Sequence, residues 1–419
     1  MRIDGDEGVF FFLTPVVPNK NGTGTEKRAW AHLEALTRLG PVDLVLLMSP
    51  NQIARSKVAD EVRQSCRTVR TVIVMPAQNT RIFRTPGLTS LIRLLTIGRT
   101  RRKIQSAAEV SNLMAAITCE NHALVFCYRL SSFALMESLP PQPGHKAIPL
   151  VVDFDDIESR VLERVLDHAE PRMGAEQRLM TRIELIETRL TESRALRRAA
   201  MVSVCSSVDA EHLKRRNARA PIRVVPNSFP ACAAISPRQE SSSVRALFLG
   251  TMTYHPNEDA ALFFCKEVLP FLRAEPCIDI ELEIVGRGPS AKILALAEIP
   301  GVNVTGSVEQ VEPYYAASDF VIVPVRYGGG TRIKILEALA LGRPVVSTTI
   351  GAEGLDLRQG TDILIADTPE AFARCCRQLA EDKALRSRLA ASGRERFMSL
   401  YEAERVRREL SQAIQALTA

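Results

Sequence analysis

The sequence has 419 residues, of which 46% are hydrophobic and 24% charged, and its formal net charge is +6. These values are ordinary for a globular protein, and the length predicts two or three domains. No apolar run reaches the roughly 18 residues that a membrane span needs, and the N-terminal VFFFL is too short for a signal peptide. The nine cysteines include no C-x-x-C pair and the six histidines no H-E-x-x-H motif. We therefore expect a cytoplasmic protein without a disulfide framework or a protein-built metal site.

Apolar segments without alternation recur through the first half of the chain. Between them lie stretches with helical spacing, such as residues 25–39, which follow a loop with Gly22 and Gly24. This order predicts an α/β domain with a parallel sheet covered on both faces, and ligands bind beyond the carboxyl ends of such strands. By themselves the two glycines favour a plain flexible loop over a ligand-binding one. The predicted strands are Val9 to Leu13, Val42 to Met48, Val69 to Val74, Leu124 to Cys127, Ile148 to Asp153, Met201 to Cys205 and Ile222 to Val225.

Acidic residues are absent between Glu61 and Glu109, an interval that holds ten basic residues. Within it, residues 79–104 combine an apolar stripe with arginines, which predicts a basic amphipathic helix on an anionic membrane surface. The alternative is a helix that packs on its own domain with its arginines in water. Nucleic acid is not expected as a partner, because aromatic residues other than Phe83 do not alternate with the arginines. The predicted membrane-facing or acceptor-facing residues are Arg81, Arg84, Arg93, Arg99, Arg101, Arg102 and Lys103.

The segment VVDFDDIES, residues 151–159, places carboxylates at the end of the fifth predicted strand. Its D-x-D spacing is one that can hold a divalent ion against a diphosphate, although nothing around it resembles such a site. Asp155 or Asp156 can instead cap the following helix. A third interpretation is that Asp153, at the carboxyl end of its strand, contacts an acceptor or a sugar.

A second alternation of strands and helices begins after residues 230–243, whose composition is that of a linker. Two doubly wound domains with a cleft between them are therefore expected: an N-terminal domain of residues 1–228 and a C-terminal domain of residues 244–400, joined by residues 229–243. The predicted strands of the second domain are ALFLGT, IDIELEIVG, VNVTGSV, DFVIVPV, RPVVS and ILIAD.

The most informative stretch is PVRYGGGTRIKILEALALGRP, residues 324–344. Its pattern predicts the end of a strand, a glycine loop and a helix over residues 331–341 that is stopped by glycine and proline. Gly328, Gly329 and Gly330 allow backbone N–H groups to approach an anion, and a helix N-terminus favours negative charge.

Thr331, Lys334 and Glu337 are three residues apart and share one helical face near this loop. A lysine one turn into the helix can meet a diphosphate, and a glutamate two turns in can accept hydrogen bonds from a ribose diol. The alternative is a surface Lys334–Glu337 pair on an ordinary helix.

The second half of the chain resembles the C-terminal domain of the retaining, sugar-nucleotide-dependent glycosyltransferases of family 4, which have the GT-B fold. The matching segments are GTMTYHPN, VGRGP, VNVTGSV, YYAASDFVIVPV and GGGTRIKILEALALGRPVVSTTIGAEGL, and the first half matches more loosely through PNKNGTGTEKRAWAHLEAL, VCSSVDAEHL and VPNS. The resemblance implies two Rossmann-like domains that face a cleft. The donor would bind mainly to the second domain and the acceptor to the first, and residues 401–419 would form a helix that packs back on the first domain.

The resemblance also implies roles for individual donor-binding residues. Glu337 matches the second glutamate of the family's E-x7-E pattern, which grips the ribose hydroxyls. Gly328, Gly329, Gly330 and Thr331 would hold the diphosphate and the sugar. Gly22 and Gly24 match the loop of the first domain that closes over the donor.

Two departures from the family pattern change the expected site. Gly329 stands where the first glutamate of E-x7-E belongs, and His255 and Asn257 stand in the segment where the family has arginine and lysine. His255 and Asn257 remain candidates for binding the donor. We expect Arg332 and Lys334 to supply the positive charge that the diphosphate requires.

The predicted function is therefore sugar transfer from a nucleoside-diphosphate sugar to a hydroxyl group, with retention and without a metal or other cofactor. Arg332, Lys334 and Asp153 are the predicted catalytic residues. The expected acceptor is a lipid-linked or other saccharide used for cell-surface polysaccharide at the inner face of the membrane. A sugar-nucleotide epimerase of the same fold and a catalytically silent assembly subunit are the alternatives.

Overall fold

The protein forms two compact units, one made of Met1–Val225 with Arg407–Ala419 and the other of Pro226–Val406. Each unit has its own sheet flanked by helices, which confirms the predicted α/β class. The computed structural model describes residues 8–55, 57–76, 102–104, 122–139, 148–169, 174–216, 218–236, 238, 243–274, 279–329 and 333–418.

In the described part of the first unit, the sheet has eight strands in the order β4-β3-β2-β1-β5-β6-β7-β8. All neighbouring strands of this set are parallel except β3 and β4. The chain runs outward from β1 on one side and from β5 on the other, so the sheet has its topological switch point between these two strands. The strands are β1 Val9–Thr14, β2 Val42–Met48, β3 Thr68–Pro76, β4 Arg102–Ile104, β5 His122–Tyr128, β6 Leu150–Phe154, β7 Met201–Val204 and β8 Ile222–Val224.

Strand β4 is a departure from the predicted basic helix. Arg102 and Lys103 lie opposite Pro76 and Met75 in an antiparallel ladder, so this end of the predicted helix is an edge strand. An outer parallel strand leaves one row of backbone groups unpaired, and β4 satisfies part of that row. Arg81, Arg84, Arg93, Arg99 and Arg101 lie outside the described residues.

The helices of the first unit cover a sheet whose central strands are almost fully buried, as their continuous apolar sequence predicts. Arg67, one of the ten basic residues between Glu61 and Glu109, forms an ion pair with Asp43. The helices are α1 Gly24–Thr37, α2 Pro50–Arg55, α3 Asp60–Ser65, α4 Leu130–Ser138, α5 Glu158–Ala169, α6 Ala175–Arg198 and α7 Ser207–Lys214.

In the described part of the second unit, the sheet has six parallel strands in the order β11-β10-β9-β12-β13-β14. Its strands are β9 Val244–Leu249, β10 Ile280–Val285, β11 Val302–Gly306, β12 Phe320–Val323, β13 Val345–Ser347 and β14 Leu364–Ile365. Its helices are α8 His255–Phe263, which continues through a π-helical turn Phe264–Val268, α9 Leu269–Arg273, α10 Ala291–Leu294, a 3₁₀ turn Ala295–Glu298, α11 Glu312–Ala316, α12 Ile333–Ala340, α13 Pro369–Glu381 and α14 Lys383–Leu400.

The last helix, α15 Ala403–Thr418, belongs to the first unit from Arg407 onward. There Ser411 Oγ donates a hydrogen bond of 3.0 Å to the carbonyl oxygen of Ala35, and Arg407 pairs with Glu34. Among the described helices, none has the length and apolar character that a bilayer span requires.

Candidate functional site

The strand and the helix predicted around residues 324–344 are present in the second unit, with the described part of the glycine loop between them. After β12 the chain turns through Gly328, whose φ of 109° is a conformation that side chains disfavour. Helix α12 then begins at Ile333. Gly330, Thr331 and Arg332 lie outside the described residues, so their roles stay predictions.

Lys334, in the first turn of α12, has its ammonium group fixed at the carboxyl end of β9. Its Nζ donates a hydrogen bond of 2.8 Å to Asn257 Oδ1 and lies 4.7 Å from the centroid of the Phe248 ring. Asn257 in turn donates a hydrogen bond of 2.9 Å to the carbonyl oxygen of Thr251. Two side chains and one backbone carbonyl therefore help to hold a single cation at the strand end.

The backbone around this ammonium group has no room for further side chains. A Cβ on Gly250 would lie 2.8 Å from Asn257 Cγ and 2.9 Å from Lys334 Nζ. A Cβ on Gly286, directly after β10, would overlap the carbonyl oxygen of Gly250. The ends of β9 and β10 are therefore closely packed beside a lysine, at positions that only glycine fits.

Glu337 lies one helical turn beyond Lys334 and is held by a buried tyrosine. The Tyr315 hydroxyl donates a hydrogen bond of 3.0 Å to Glu337 Oε2. Burial raises the pKa of Tyr315 well above its usual value, and the charge of Glu337 raises it further. The hydroxyl therefore remains a donor at physiological pH and fixes the orientation of the Glu337 carboxylate.

His255 and Asn257 occupy different environments at the start of α8. Asn257 is buried and joins the Lys334 contacts described above. The side chain of His255 is 85% exposed, and its Nδ1 lies 3.7 Å from Glu258 Oε2. Of the two donor-binding candidates in this segment, the structure brings only Asn257 against Lys334.

Asp153, at the end of β6 in the first unit, is fully buried and fully engaged. Arg28 Nε and Nη2 donate hydrogen bonds of 2.9 and 2.7 Å to its two oxygens, and Ser203 Oγ donates one of 2.6 Å. His32 Nε2 lies 3.3 Å from the same carboxylate. Both oxygens are thus occupied, so the geometry favours a positioning role for Asp153 over direct contact with a sugar.

The pKa of Asp153 reflects this pairing. Burial by itself raises it, but the charge of Arg28, followed by the contribution of His32, holds the pKa well below its usual range. The folded-state pKa lies below that of the unfolded chain. The pair therefore contributes stability above about pH 4, and this contribution is lost as the pH falls further.

Arg28 is the main residue of this cluster that the sequence analysis did not identify. Its Nη1 also donates a hydrogen bond of 2.8 Å to the carbonyl oxygen of Val225, so one guanidinium joins α1, β6 and the chain after β8. The sequence does carry a signal for Arg28. It lies one helical turn before His32, and the other buried residues of α1 are apolar.

The glycine loop before α1 has a local structural role. Glu26 accepts hydrogen bonds of 2.6 and 2.9 Å from the backbone N–H and the hydroxyl of Thr23, which precedes the helix. A Cβ on Gly22 would collide with the Glu26 carboxylate. Gly22 therefore allows this cap, and Gly24 is the first residue of α1.

The D-x-D segment does not assemble into a metal cluster within the described ranges. Asp155 Oδ2 accepts a hydrogen bond of 3.0 Å from the Tyr128 hydroxyl, while Asp153 is bound by Arg28. No group of three or more histidine, cysteine, aspartate or glutamate side chains in these ranges is placed to hold a metal ion.

Sequence comparison links the second unit to glycosyltransferases. Residues 243–382 match the family model described as glycosyl transferases group 1. An uncharacterized 44.6 kDa protein in the cps region of Klebsiella pneumoniae is 27% identical over 136 residues, which cover 30% of this chain and 35% of that protein. The lipopolysaccharide core biosynthesis glycosyltransferase LpsE of Rhizobium meliloti (strain 1021) is 32% identical over 107 residues, 25% of this chain and 31% of that protein. The chain thus spans about a third of the length of these curated relatives.

Solved structures with the same fold cover nearly the whole chain. Sucrose-phosphate synthase from Thermosynechococcus elongatus has a TM-score of 0.66 at 16% identity and covers 98% of this chain and 99% of its own. Anabaena Alr3699/HepE in complex with UDP and glucose has a TM-score of 0.63 at 14% identity, with coverage of 97% and 99%. A point mutant of S. aureus TarM in complex with fondaparinux, alpha-GlcNAc-glycerol and UDP has a TM-score of 0.65 at 10% identity, with coverage of 97% and 99%. The predicted GT-B fold, with its two doubly wound domains, is confirmed.

Replacement of Arg28 by leucine should lower the free energy of unfolding by about 3–5 kcal/mol, because it leaves the buried Asp153 carboxylate without its cation. Urea unfolding at pH 7 measures this change. Lys214→Ala is the control: it breaks an exposed pair with Glu211 and should leave the stability close to that of the wild type. Equal, small losses for both variants would show that the Arg28 pair does not support the first unit.

Proposed function

We propose that this protein is a retaining glycosyltransferase that moves a sugar from a nucleoside-diphosphate sugar to an acceptor hydroxyl and requires no metal ion. The observation that carries the proposal is the fixed ammonium group of Lys334 at the end of β9, one helical turn from Glu337. The spacing suits a diphosphate at the lysine and a ribose diol at the glutamate. Both residues lie inside the region that matches the glycosyl transferases group 1 model.

The donor site follows from this geometry. The Lys334 ammonium group at the end of β9 neutralises the charge of the phosphate oxygens. Glu337, oriented by Tyr315, accepts hydrogen bonds from the ribose hydroxyls. Anabaena Alr3699/HepE, a neighbour in fold, was crystallised with UDP and with UDP-glucose, which supports a uridine nucleotide as the first donor to test.

The reaction requires little covalent chemistry from the protein. The bond between the anomeric carbon and the diphosphate oxygen breaks, and its electron pair leaves with the nucleoside diphosphate. The acceptor oxygen attacks the anomeric carbon from the face that the diphosphate leaves, which gives retention. The acceptor proton passes to an oxygen of the departing phosphate. Lys334, and by proposal Arg332, stabilise the growing negative charge on the leaving group.

We infer that the acceptor is a saccharide, lipid-linked or otherwise, that is used to build a cell-surface polysaccharide. The support comes from the two curated relatives, one named for lipopolysaccharide core biosynthesis and the other encoded in a cps region. The proposal of an anionic membrane surface rests on the basic residues of the segment 81–103 in the sequence. By the same proposal, the protein acts in the cytoplasm, at the inner face of the membrane.

A thermal-shift panel of nucleotides and sugar nucleotides, run first without added metal and then with EDTA, tests the function. A ligand at 100 times its dissociation constant stabilises the protein by about 2.7 kcal/mol. We expect one nucleoside diphosphate and its sugar to raise the melting temperature equally in both conditions. Loss of the shift with EDTA would contradict the metal-free mechanism, and the absence of any shift would favour a silent assembly subunit.

Replacement of Lys334 by alanine should weaken nucleoside-diphosphate binding about 10- to 100-fold, the value of a lost charge-assisted hydrogen bond. Isothermal titration with UDP measures the affinity, and urea unfolding measures stability, which should fall much less than binding does. Lys292→Ala, at an exposed lysine of α10, is the matched control and should bind like the wild type. An unchanged affinity in Lys334→Ala would remove the proposed role of this lysine.

Replacement of Tyr315 by phenylalanine removes one hydroxyl from a buried site and keeps the ring. We expect about fivefold weaker binding of UDP, because the Glu337 carboxylate loses the donor that orients it, a contribution of about 1 kcal/mol. Binding of inorganic diphosphate, which has no ribose, should stay unchanged and is the internal control. Equal losses for UDP and diphosphate would mean that Tyr315 acts through general stability.

A further inference from the structure

Arg129, which directly follows β5, has a strained backbone. Within the described ranges it is the only residue other than glycine with positive φ, at φ 67° and ψ 152°. Its N–H donates a hydrogen bond of 2.9 Å to the carbonyl oxygen of Asp153, and its carbonyl oxygen accepts one of 3.1 Å from the N–H of Ser132. Glycine adopts this conformation without strain, so an arginine here indicates that the side chain serves a purpose.

The position of Arg129 in the sheet is the one where open α/β folds bind ligands. Strand β1 pairs with β2 on one side and β5 on the other, and the chain continues outward in both directions. Arg129 therefore lies at the carboxyl edge of the sheet beside its switch point. The Tyr128 hydroxyl shares its single proton between Asp155 and the carbonyl oxygen of Thr25, which lies 2.9 Å away, and so ties the start of α1 to the same edge.

The guanidinium group of Arg129 is half-buried, and no residue that the structure describes accepts a hydrogen bond from it. Among the described residues it makes no hydrogen bond or ion pair, although the carboxylates of Asp155, Glu158 and Asp156 lie in its surroundings. Burial lowers its pKa, but these carboxylates outweigh burial and raise it, so the group stays charged. As far as the described ranges extend, a charged fork with unoccupied N–H groups thus lies near carboxylates.

The balance of charge at this edge selects the ligand. Arg28 is already paired with Asp153, and the carboxylates of Asp155, Glu158 and Asp156 lie around Arg129, so a phosphate or carboxylate ligand at Arg129 would meet nearby negative charge. A sugar hydroxyl both donates and accepts, and can bind an arginine and a carboxylate together. An uncharged polyol fits both types of group.

We propose that Arg129 binds hydroxyl groups of an uncharged sugar, the acceptor end of the glycosyl transfer, at the switch point of the first unit. This inference rests on the proposed function and adds the chemical class of the acceptor and the residue that recognises it. The strained backbone is the cost of aiming the guanidinium at this edge.

The variant Arg129→Gly separates binding from strain. It should raise the melting temperature by a few degrees, because glycine relieves the strained φ. It should also weaken sugar binding tenfold or more, measured by saturation-transfer NMR with the methyl glycosides of glucose, galactose, mannose and N-acetylglucosamine. Arg129→Lys keeps the charge without the fork and should bind with intermediate affinity.

Arg70→Gly is the matched control, since Arg70 is an exposed arginine on β3 of the same sheet. It should lower the melting temperature and leave sugar binding unchanged. The proposal is overturned if Arg129→Gly binds glycosides like the wild type, if it is not stabilised, or if the wild type binds none of them. Preference for glucose 6-phosphate over methyl glucoside would overturn the uncharged class. If the wild type binds glycosides but no nucleotide, the transferase function is contradicted and the sugar site at Arg129 is not.

Discussion

The arrangement of both candidate regions depends on one constraint, namely that parallel strands end at the same edge of a sheet. In the second unit a Cβ on Gly286 would overlap the Gly250 carbonyl oxygen, and the side chains of Asn257 and Lys334 fill the space beside Gly250. In the first unit the same edge carries the loop before α1 and the turn after β5. Helices that start at this edge bring Lys334 or Arg28 back over it. The chemistry of the protein is therefore concentrated where the backbone has the fewest side chains of its own.

The two units use arginine and lysine at this edge in different ways. In the first unit Arg28 has a structural role, because its guanidinium group is buried together with its partners, the Asp153 carboxylate and the Val225 carbonyl. In the second unit an amide oxygen and an aromatic face position Lys334. Neither of these two groups brings the full negative charge of a carboxylate. Both groups help to hold the ammonium group in place at the end of β9.

Much of the fold follows from local sequence, whereas the contacts of the site do not. Continuous apolar runs predict the strands because a sheet covered on both faces excludes polar residues, and spacing puts Lys334 and Glu337 on one face of a helix. The partner of Lys334 is 77 residues away, and that of Arg28 is 125 residues away. Such pairs depend on the register of the sheet, which periodicity does not encode. Strand β4 escapes prediction because backbone pairing with β3, and no side-chain pattern, determines it.

The last helix has a consequence for the order in which the protein folds. Leu410 and Ile414 of α15 are buried in the first unit, and Ser411 is hydrogen-bonded to the backbone of α1. The first unit is thus built from two segments of the chain, with the whole second unit synthesised between them. On the ribosome, the second unit can close as soon as α14 emerges, while α1 waits with one face uncovered. The unit whose synthesis starts earlier is the one that is completed later.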